Sequence, residues 1–309
     1  MVCLLRCLVA FGFLGVSLVA SLIPINVEAV KKAVVFLYSA DPTGQPDTSE
    51  ELATGFLVAI PIANSEPQRS YFVLVTARHV VDPVWACQGP TNPSLIYARV
   101  NRKDYDPKRD ASGVEFVPLH LIVDNKTAWV KHTTDSVDAA VVPIDVPRFL
   151  ANDVVAIRLA DFGTPTEIQA VGIGDDIVSA GLVPGLSGKK RNYPFFKFGK
   201  VSNIPDEEGV MPCRGDTKAL NYWYMAATLI GGNSGSPMFF LPAGNAVINF
   251  GGPTNRPFLL GLQSMSVAAG EIAGMTPVQY IFEIIESLKL PNADLTRGIV
   301  QNPSPTPKK

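Results

Sequence analysis

The feature that most limits this chain is its punctuation. From about residue 30 onward, runs rich in Val, Ile, Phe and Tyr are short, and Pro, Gly, Asn or Asp closes each one. The first set covers 33–38, 53–60, 71–76, 95–101, 114–123 and 137–144. A second set follows Pro147, at 154–159, 167–171, 196–201, 222–228, 237–241 and 258–267. Strands and helices do not alternate, which argues against a parallel α/β sheet. Each set of six suits a small antiparallel barrel, and 309 residues are enough for two of them sharing an interface. The expected fold is therefore all-β: two six-stranded antiparallel β-barrels with one C-terminal helix.

That helix is predicted over 277–290. Thr276 can cap it, Pro277 suits its first turn and Gln279 completes a capping box. Val278, Ile281, Phe282, Ile285 and Leu288 then share one face, which should dock on the second barrel. The chain divides into a leader at 1–29, a first barrel at 30–150, and a second barrel with the helix at 151–290. Residues 291–309 have little to bury and read as a disordered tail.

In the leader, Arg6 precedes an apolar run over 7–23, and Val27-Glu28-Ala29 offers a small-residue cleavage site. This reads as a secretory signal peptide. The alternative is an uncleaved signal anchor, the one case in which a membrane is a partner. Cys3 and Cys7 stand before the apolar run, unlike a lipoprotein cysteine. The rest is exported, to a periplasm or the extracellular space. Cys87 and Cys213 can then pair in an oxidising compartment, or remain as two buried thiols.

Charged residues make up 17% of the chain and the net charge is −2, so no basic field points to nucleic acid. Residues 101–110 alternate in charge and read as a solvated hairpin tip. Residues 181–200 mix Lys189, Lys190, Arg191 and Lys197 with Tyr193, Phe195, Phe196 and Phe198. A nucleic-acid patch is one reading of that stretch; a mobile loop leading into a strand is the preferred one.

The stretch richest in chemistry is Gly231-Gly232-Asn233-Ser234-Gly235-Ser236-Pro237. Glycines on both sides of one serine suit a tight turn that lifts the hydroxyl clear of the backbone. Neighbouring amides that converge on the same point would supply what acyl transfer needs, a nucleophile with donors for an oxyanion. An ordinary glycine-rich turn between strands is the plain alternative. GNSGSP resembles the GDSGGP or GNSGGP signature of trypsin-like (chymotrypsin-fold) serine proteases, and its Asn is similar to the bacterial high-temperature-requirement branch. Ser236 departs from the usual second glycine.

Histidine positions select among catalytic orders. His79, His120 and His132 are the only three, and all precede Ser234. An α/β-hydrolase needs its histidine after the nucleophile, so that fold is excluded. A subtilisin order would need Asp41 or Asp47, both in a polar loop. The remaining order is His, Asp, Ser. His79 follows a buried strand pattern, Phe72 to Thr76, and its segment resembles the family's TAAHC or TNAHVV, with Arg78 at a variable position. His120 and His132 lack such context and read as surface or strand residues. Asp138 precedes Ala139-Ala140-Val141-Val142, similar to the family's Asp-x-Ala-Leu/Val; Asp135 is the rival, in more polar company.

The resemblance implies an exported serine endopeptidase acting on protein or peptide substrates. His79 would be the base, Asp138 its orienting carboxylate and Ser234 the nucleophile, with the Gly232 and Ser234 amides as oxyanion hole. It also implies a substrate pocket walled by Ser264, Met265 and Ser266 with its base near Thr228 and Ile230. None of these is acidic, so a small or medium apolar residue is expected there. The resemblance covers roughly 53–290, a protease domain without a PDZ module. No metal or cofactor is expected, and Gly172-Ile173-Gly174 lacks a dinucleotide-binding context. Asn233 carries no charge, so the ion pair by which a freed N-terminal amine switches on animal trypsins cannot form. Removal of the leader, or loops and partners, would then govern activity. Two further readings stand: a catalytically silent protease-fold binding or structural protein, and an esterase on the same scaffold.

Overall fold

The structure is a computed structural model that describes residues 27–186, 188–213, 216–227, 232–242, 256–267 and 271–298. Most of the leader and residues 299–309 lie outside that set. The described chain opens with a short helix, α1 (Val27–Ala33), whose Val30 and Ala33 are buried. No helix among the described residues is long and apolar enough to cross a membrane.

Strand β1 (Val34–Ala40) starts Val34-Val35-Phe36-Leu37, all buried. Such a β-branched and aromatic run, covered on both faces, suits the middle of a sheet. It pairs antiparallel with β2 (Pro46–Pro61) on one side and β4 (Leu95–Asn101) on the other. Beyond β2 lie β3 (Ser70–Thr76), β9 (Ala140–Pro143) and β8 (Val130–Lys131); beyond β4 lies β5 (Val114–His120). The order is β5-β4-β1-β2-β3-β9-β8, and β10 (Ile157–Arg158) adds a parallel pairing to β2, making eight strands.

This first sheet is open, which corrects the expected six-stranded barrel. Residues 122–131 are divided between a tiny hairpin, β6 (Ile122–Val123) with β7 (Lys126–Thr127), and the two-residue β8. No strand long enough to close against β5 results. The run at 154–159, expected in the second barrel, gives only β10 and a 3₁₀ turn at Leu159–Asp161, both on the first sheet.

The second half is a closed six-stranded barrel: β11 (Asp176–Gly181), β12 (Phe195–Asn203), β15 (Trp223–Ala226), β18 (Ile272–Pro277), β17 (Phe258–Val267) and β16 (Pro237–Leu241). Alternation along β16 shows how it packs. Met238 and Phe240 enter the barrel's own core with Ile177, Phe258 and Leu260. Phe239 points the other way, into the core shared with the first sheet. The predicted strand at 167–171 is instead a helix, α4 (Pro165–Gln169), for a local reason. Thr164 accepts from the Glu167 amide and Glu167 bonds back to the Thr164 amide, with proline at the helix start. A further helix, α3 (Val146–Leu150), is capped by Asp145.

A hairpin unread in the sequence, β13 (Gly209–Cys213) with β14 (Asp216–Leu220), sits outside the barrel. Its Cys213 is disulfide-bonded to Cys87, 126 residues earlier. The terminal helix is α5 (Val278–Ser287), and Pro277 rather than Thr276 occupies its cap without any side-chain bond. Thr276 belongs to β18 and Gln279 bonds Glu283 and Arg297, so the predicted capping box does not form. The helix packs on β9 as well as on β17 and β18, and Ile281 and Ile285 join the shared core. Residues 291–298 are not a free tail. Ala293 bridges to Ile62, Asp294 donates to Pro61, and Arg297 lies 3.9 Å over the Phe282 ring. Leu290, Ala293 and Leu295 supply the apolar surface that holds them.

The disulfide closes a long loop between the halves, so losing it should release much chain entropy in the unfolded state. Replacing Cys87 and Cys213 by serine should lower stability by about 2–5 kcal/mol in a denaturant titration. An unchanged midpoint would contradict the pairing.

Candidate active site

Helix α2 (Arg78–Val81) starts two residues past the end of β3, so a buried strand delivers His79 at a fixed point. Asp138, 1% exposed, lies two residues before β9, the strand paired to β3. The ladder between those strands brings the two side chains together. Asp138 Oδ2 lies 2.8 Å from His79 Nδ1, and Oδ1 accepts from the His79 amide at 2.9 Å. The rival Asp135 is turned away. Its carboxylate takes Arg78 at 2.9 Å and Lys218 at 3.2 Å, and its side chain is 64% exposed. Arg78, stacked 4.4 Å over Trp85 and bonded to Asp82, is a structural residue.

Burial by itself would disfavour charge on both partners. In His79 it pulls the imidazole down, but the Asp138 charge and hydrogen bond outweigh it and leave the ring above its usual 6.5. In Asp138 burial pushes up, and the His79 charge, the bonds from its ring and amide, and the Tyr222 hydroxyl hold the carboxylate below its usual range. Tyr222 donates to Oδ2 at 2.9 Å, and burial with the neighbouring carboxylate raises its own phenol well above 10. Sequence reading missed this residue. The signal available was a tyrosine inside an apolar run, since a buried phenol needs a partner.

Ser234 lies on the turn before β16. Gly232 and Gly235 have φ of +83° and +86°, the left-handed region that favours glycine. A Cβ on Gly235 would lie 2.0 Å from the Thr54 carbonyl. Thr54, fully buried on β2, holds the turn from the other half of the molecule. Its amide donates to Ser234 O at 2.9 Å, and its hydroxyl donates to Gly232 O at 2.9 Å and accepts from the Leu182 amide at 3.1 Å. Within the turn the Ser236 amide donates to Asn233 O, and the Gly235 amide reaches Gln263 O on β17. Among the described residues neither the Gly232 nor the Ser234 amide donates a hydrogen bond.

His79, Asp138, Ser234, Tyr222, Met211 and Met265 line one cavity of about 240 Å³, together with Ser264 and Ser266. The Ser234 hydroxyl is directed at Ser264 O, 3.4 Å away, and no described hydrogen bond joins it to His79. Ser264 meets the backbone carbonyl of Asp138, at 3.3 Å, and not its carboxylate. Thr276 takes the same carbonyl at 3.2 Å. Thr228 and Ile230 lie outside the described residues. His120 is exposed at the end of β5, whereas His132 is buried and sits 2.7 Å from Glu283 on α5, far from the surface role expected of it. The loop at 182–194 binds the first sheet: Arg99 bonds Gly188 O and Asn192, and the Gly113 amide donates to Lys190 O.

No protein-family model matches the chain, and no curated protein matches it. Among solved structures it is similar to the MamO protease domain from Magnetospirillum magneticum, with 16% identity, a TM-score of 0.47, and 82% of this chain and 95% of that one covered. It is also similar to the active form of the Rv3671c protease from M. tuberculosis, with 16% identity, a TM-score of 0.44, and 89% and 86% covered. Human heparin binding protein matches with 12% identity, a TM-score of 0.46, and 90% and 98% covered.

Thr54→Val keeps the shape but leaves the part-buried Gly232 carbonyl and the buried Leu182 amide without their partner. It should cost about 2 kcal/mol in a denaturant titration. A neutral result would show that the turn is held elsewhere.

Proposed function

We propose that the chain is a serine endopeptidase whose working groups are Ser234, His79 and Asp138. One observation carries this reading: a buried carboxylate fixes His79 Nδ1, and the imidazole lines the same cavity as Ser234, whose own amide and that of Gly232 donate to nothing among the described residues. With Nδ1–H bonded to Asp138, Nε2 is left as the basic nitrogen. It takes the Ser234 proton as Oγ bonds to a peptide carbonyl carbon, while the Gly232 and Ser234 amides hold the oxyanion. The imidazolium, stabilised by Asp138, returns the proton to the leaving amine, and water then releases the acyl group by the same route. Met211, Tyr222 and Met265 in the cavity wall favour an apolar side chain next to the scissile bond. Export of the chain fits the disulfide.

A second reading, a catalytically silent protease-fold binding protein, is favoured by the Ser234 hydroxyl facing Ser264 O instead of the imidazole. Turning it to His79 needs only a side-chain rotation, and such bonds often tighten when substrate enters.

A fluorophosphonate probe separates the two. The endopeptidase reading expects an adduct on Ser234, abolished in Ser234→Ala and slowed on the order of 10³-fold or more in His79→Ala. Folded protein that takes no label supports the silent reading. Cleavage of a peptide library distinguishes a protease from an esterase.

The pH dependence carries a sign. The base must be neutral, and His79 sits above 6.5, so labelling should rise with pH about a midpoint above 6.5. Asp138→Asn removes the charge that raises the ring and should move that midpoint down. A midpoint unmoved by the substitution would contradict the coupling.

A further inference from the structure

Thr54 fixes the nucleophile turn from the first sheet, and a second anchor reaches it from the barrel. Lys197 on β12, opposite Ser179 of β11, extends its ammonium to the Asn233 side-chain oxygen at 2.8 Å. Asn233 is fully buried and lies between the two amides assigned to the oxyanion. Its preceding peptide is tied by Thr54 through Gly232 O, and its own carbonyl is bonded to the Ser236 amide. Fixing the Asn233 side chain therefore fixes the peptide that carries the Ser234 N–H.

A half-buried ammonium is a costly way to hold a neutral amide. Burial alone pushes Lys197 down to about 8. The facing elements supply no acid to offset this. Asp176, the one acidic residue of β11, is paired with Lys200 at 2.6 Å; β15 and the turn at 232–236 contain no carboxylate. The bond to Asn233 is thus a charge-assisted one that weakens on deprotonation within an ordinary alkaline range.

We propose that Lys197 is a positioning residue: its ammonium, bound to Asn233, holds the Gly232–Ser234 turn with both amides presented, and the turn loosens when that charge is lost. This rests on the hydrolase reading for its consequence in rate, but the positioning itself can be observed without catalysis. The site would then be ordered by a side chain of its own barrel, with no new N-terminus required.

The test follows the backbone amide signals of Gly232 and Ser234 by NMR across an alkaline titration, alongside the rate of fluorophosphonate labelling. Both amides should move with a midpoint of about 8, and labelling should fall through the same range. Lys197→Met should flatten the amide titration and slow labelling on the order of 10²-fold, as expected of misplaced donors. Lys197→Arg should keep labelling to higher pH, since a guanidinium does not titrate there. Asn233→Asp should move the midpoint up, because a carboxylate favours the charged form. Melting temperature should rise across this window. The unfolded lysine, at its usual 10.5, binds more protons than the folded one. A fall in labelling is then not unfolding. Amides that stay still, or a midpoint indifferent to Asn233→Asp, would overturn the proposal even if Ser234 labels normally. Amides that titrate in a protein that never labels would uphold the positioning and refute the hydrolase reading.

Discussion

Thr54 has no exposed surface, and each of its polar atoms is used where the two halves meet. Its amide and hydroxyl hold the carbonyls of Ser234 and Gly232, its hydroxyl also receives the Leu182 amide, and its carbonyl receives the Thr76 hydroxyl. The Ser234 turn belongs to the barrel by sequence, yet its register is set by β2 of the open sheet. The same sheet carries His79 and Asp138 through the β3–β9 ladder. A single block of hydrogen-bonded backbone therefore determines how far the serine stands from the imidazole. Small errors there matter, since a misplacement of about 1 Å can cost on the order of a hundredfold in rate.

Around that block, polar groups are buried only where they are matched. The Asp138 carboxylate receives the His79 ring, the His79 amide and the Tyr222 hydroxyl. Its carbonyl lies within reach of the Ser264 and Thr276 hydroxyls, which sit 2.6 Å apart, so that one donates to the other and the other donates to the carbonyl. Donors on both its carboxylate and its carbonyl leave Asp138 little freedom to turn from the histidine. The disulfide adds a covalent tie in the same place, joining the segment after His79 to the hairpin whose Met211 walls the cavity.

Much of this was legible in the sequence because it depends on local pattern. Buried runs such as 34–37 and 71–76 announce strands, and the glycines at 232 and 235 announce a turn needing positive φ. The strand before it singled out His79 from the three histidines, and His79 lines one cavity with Ser234. What failed depended on partners distant in sequence. Thr276 looked like a helix cap, but its hydroxyl is taken by Ser264 and Asp138. Glu167 sat in a strand-like run until its bond to Thr164 made a helix of it. Whether the first sheet closes depends on residues 122–131, too short and exposed to carry a pattern. Tyr222, Thr54 and Lys197 act through hydrogen bonds between residues far apart in the chain, which no periodicity records.

The central claim is that this junction assembles a nucleophile, a base and an oxyanion site around one atom. The most direct measurement is a crystal structure of the protein after reaction with a fluorophosphonate. The account predicts phosphorus bonded to Ser234 Oγ and its oxygen about 2.7–3.1 Å from the Gly232 and Ser234 amides. His79 should face the adduct and remain bonded to Asp138. Phosphorus on another residue, or its oxygen directed away from both amides with the imidazole swung out, would contradict it.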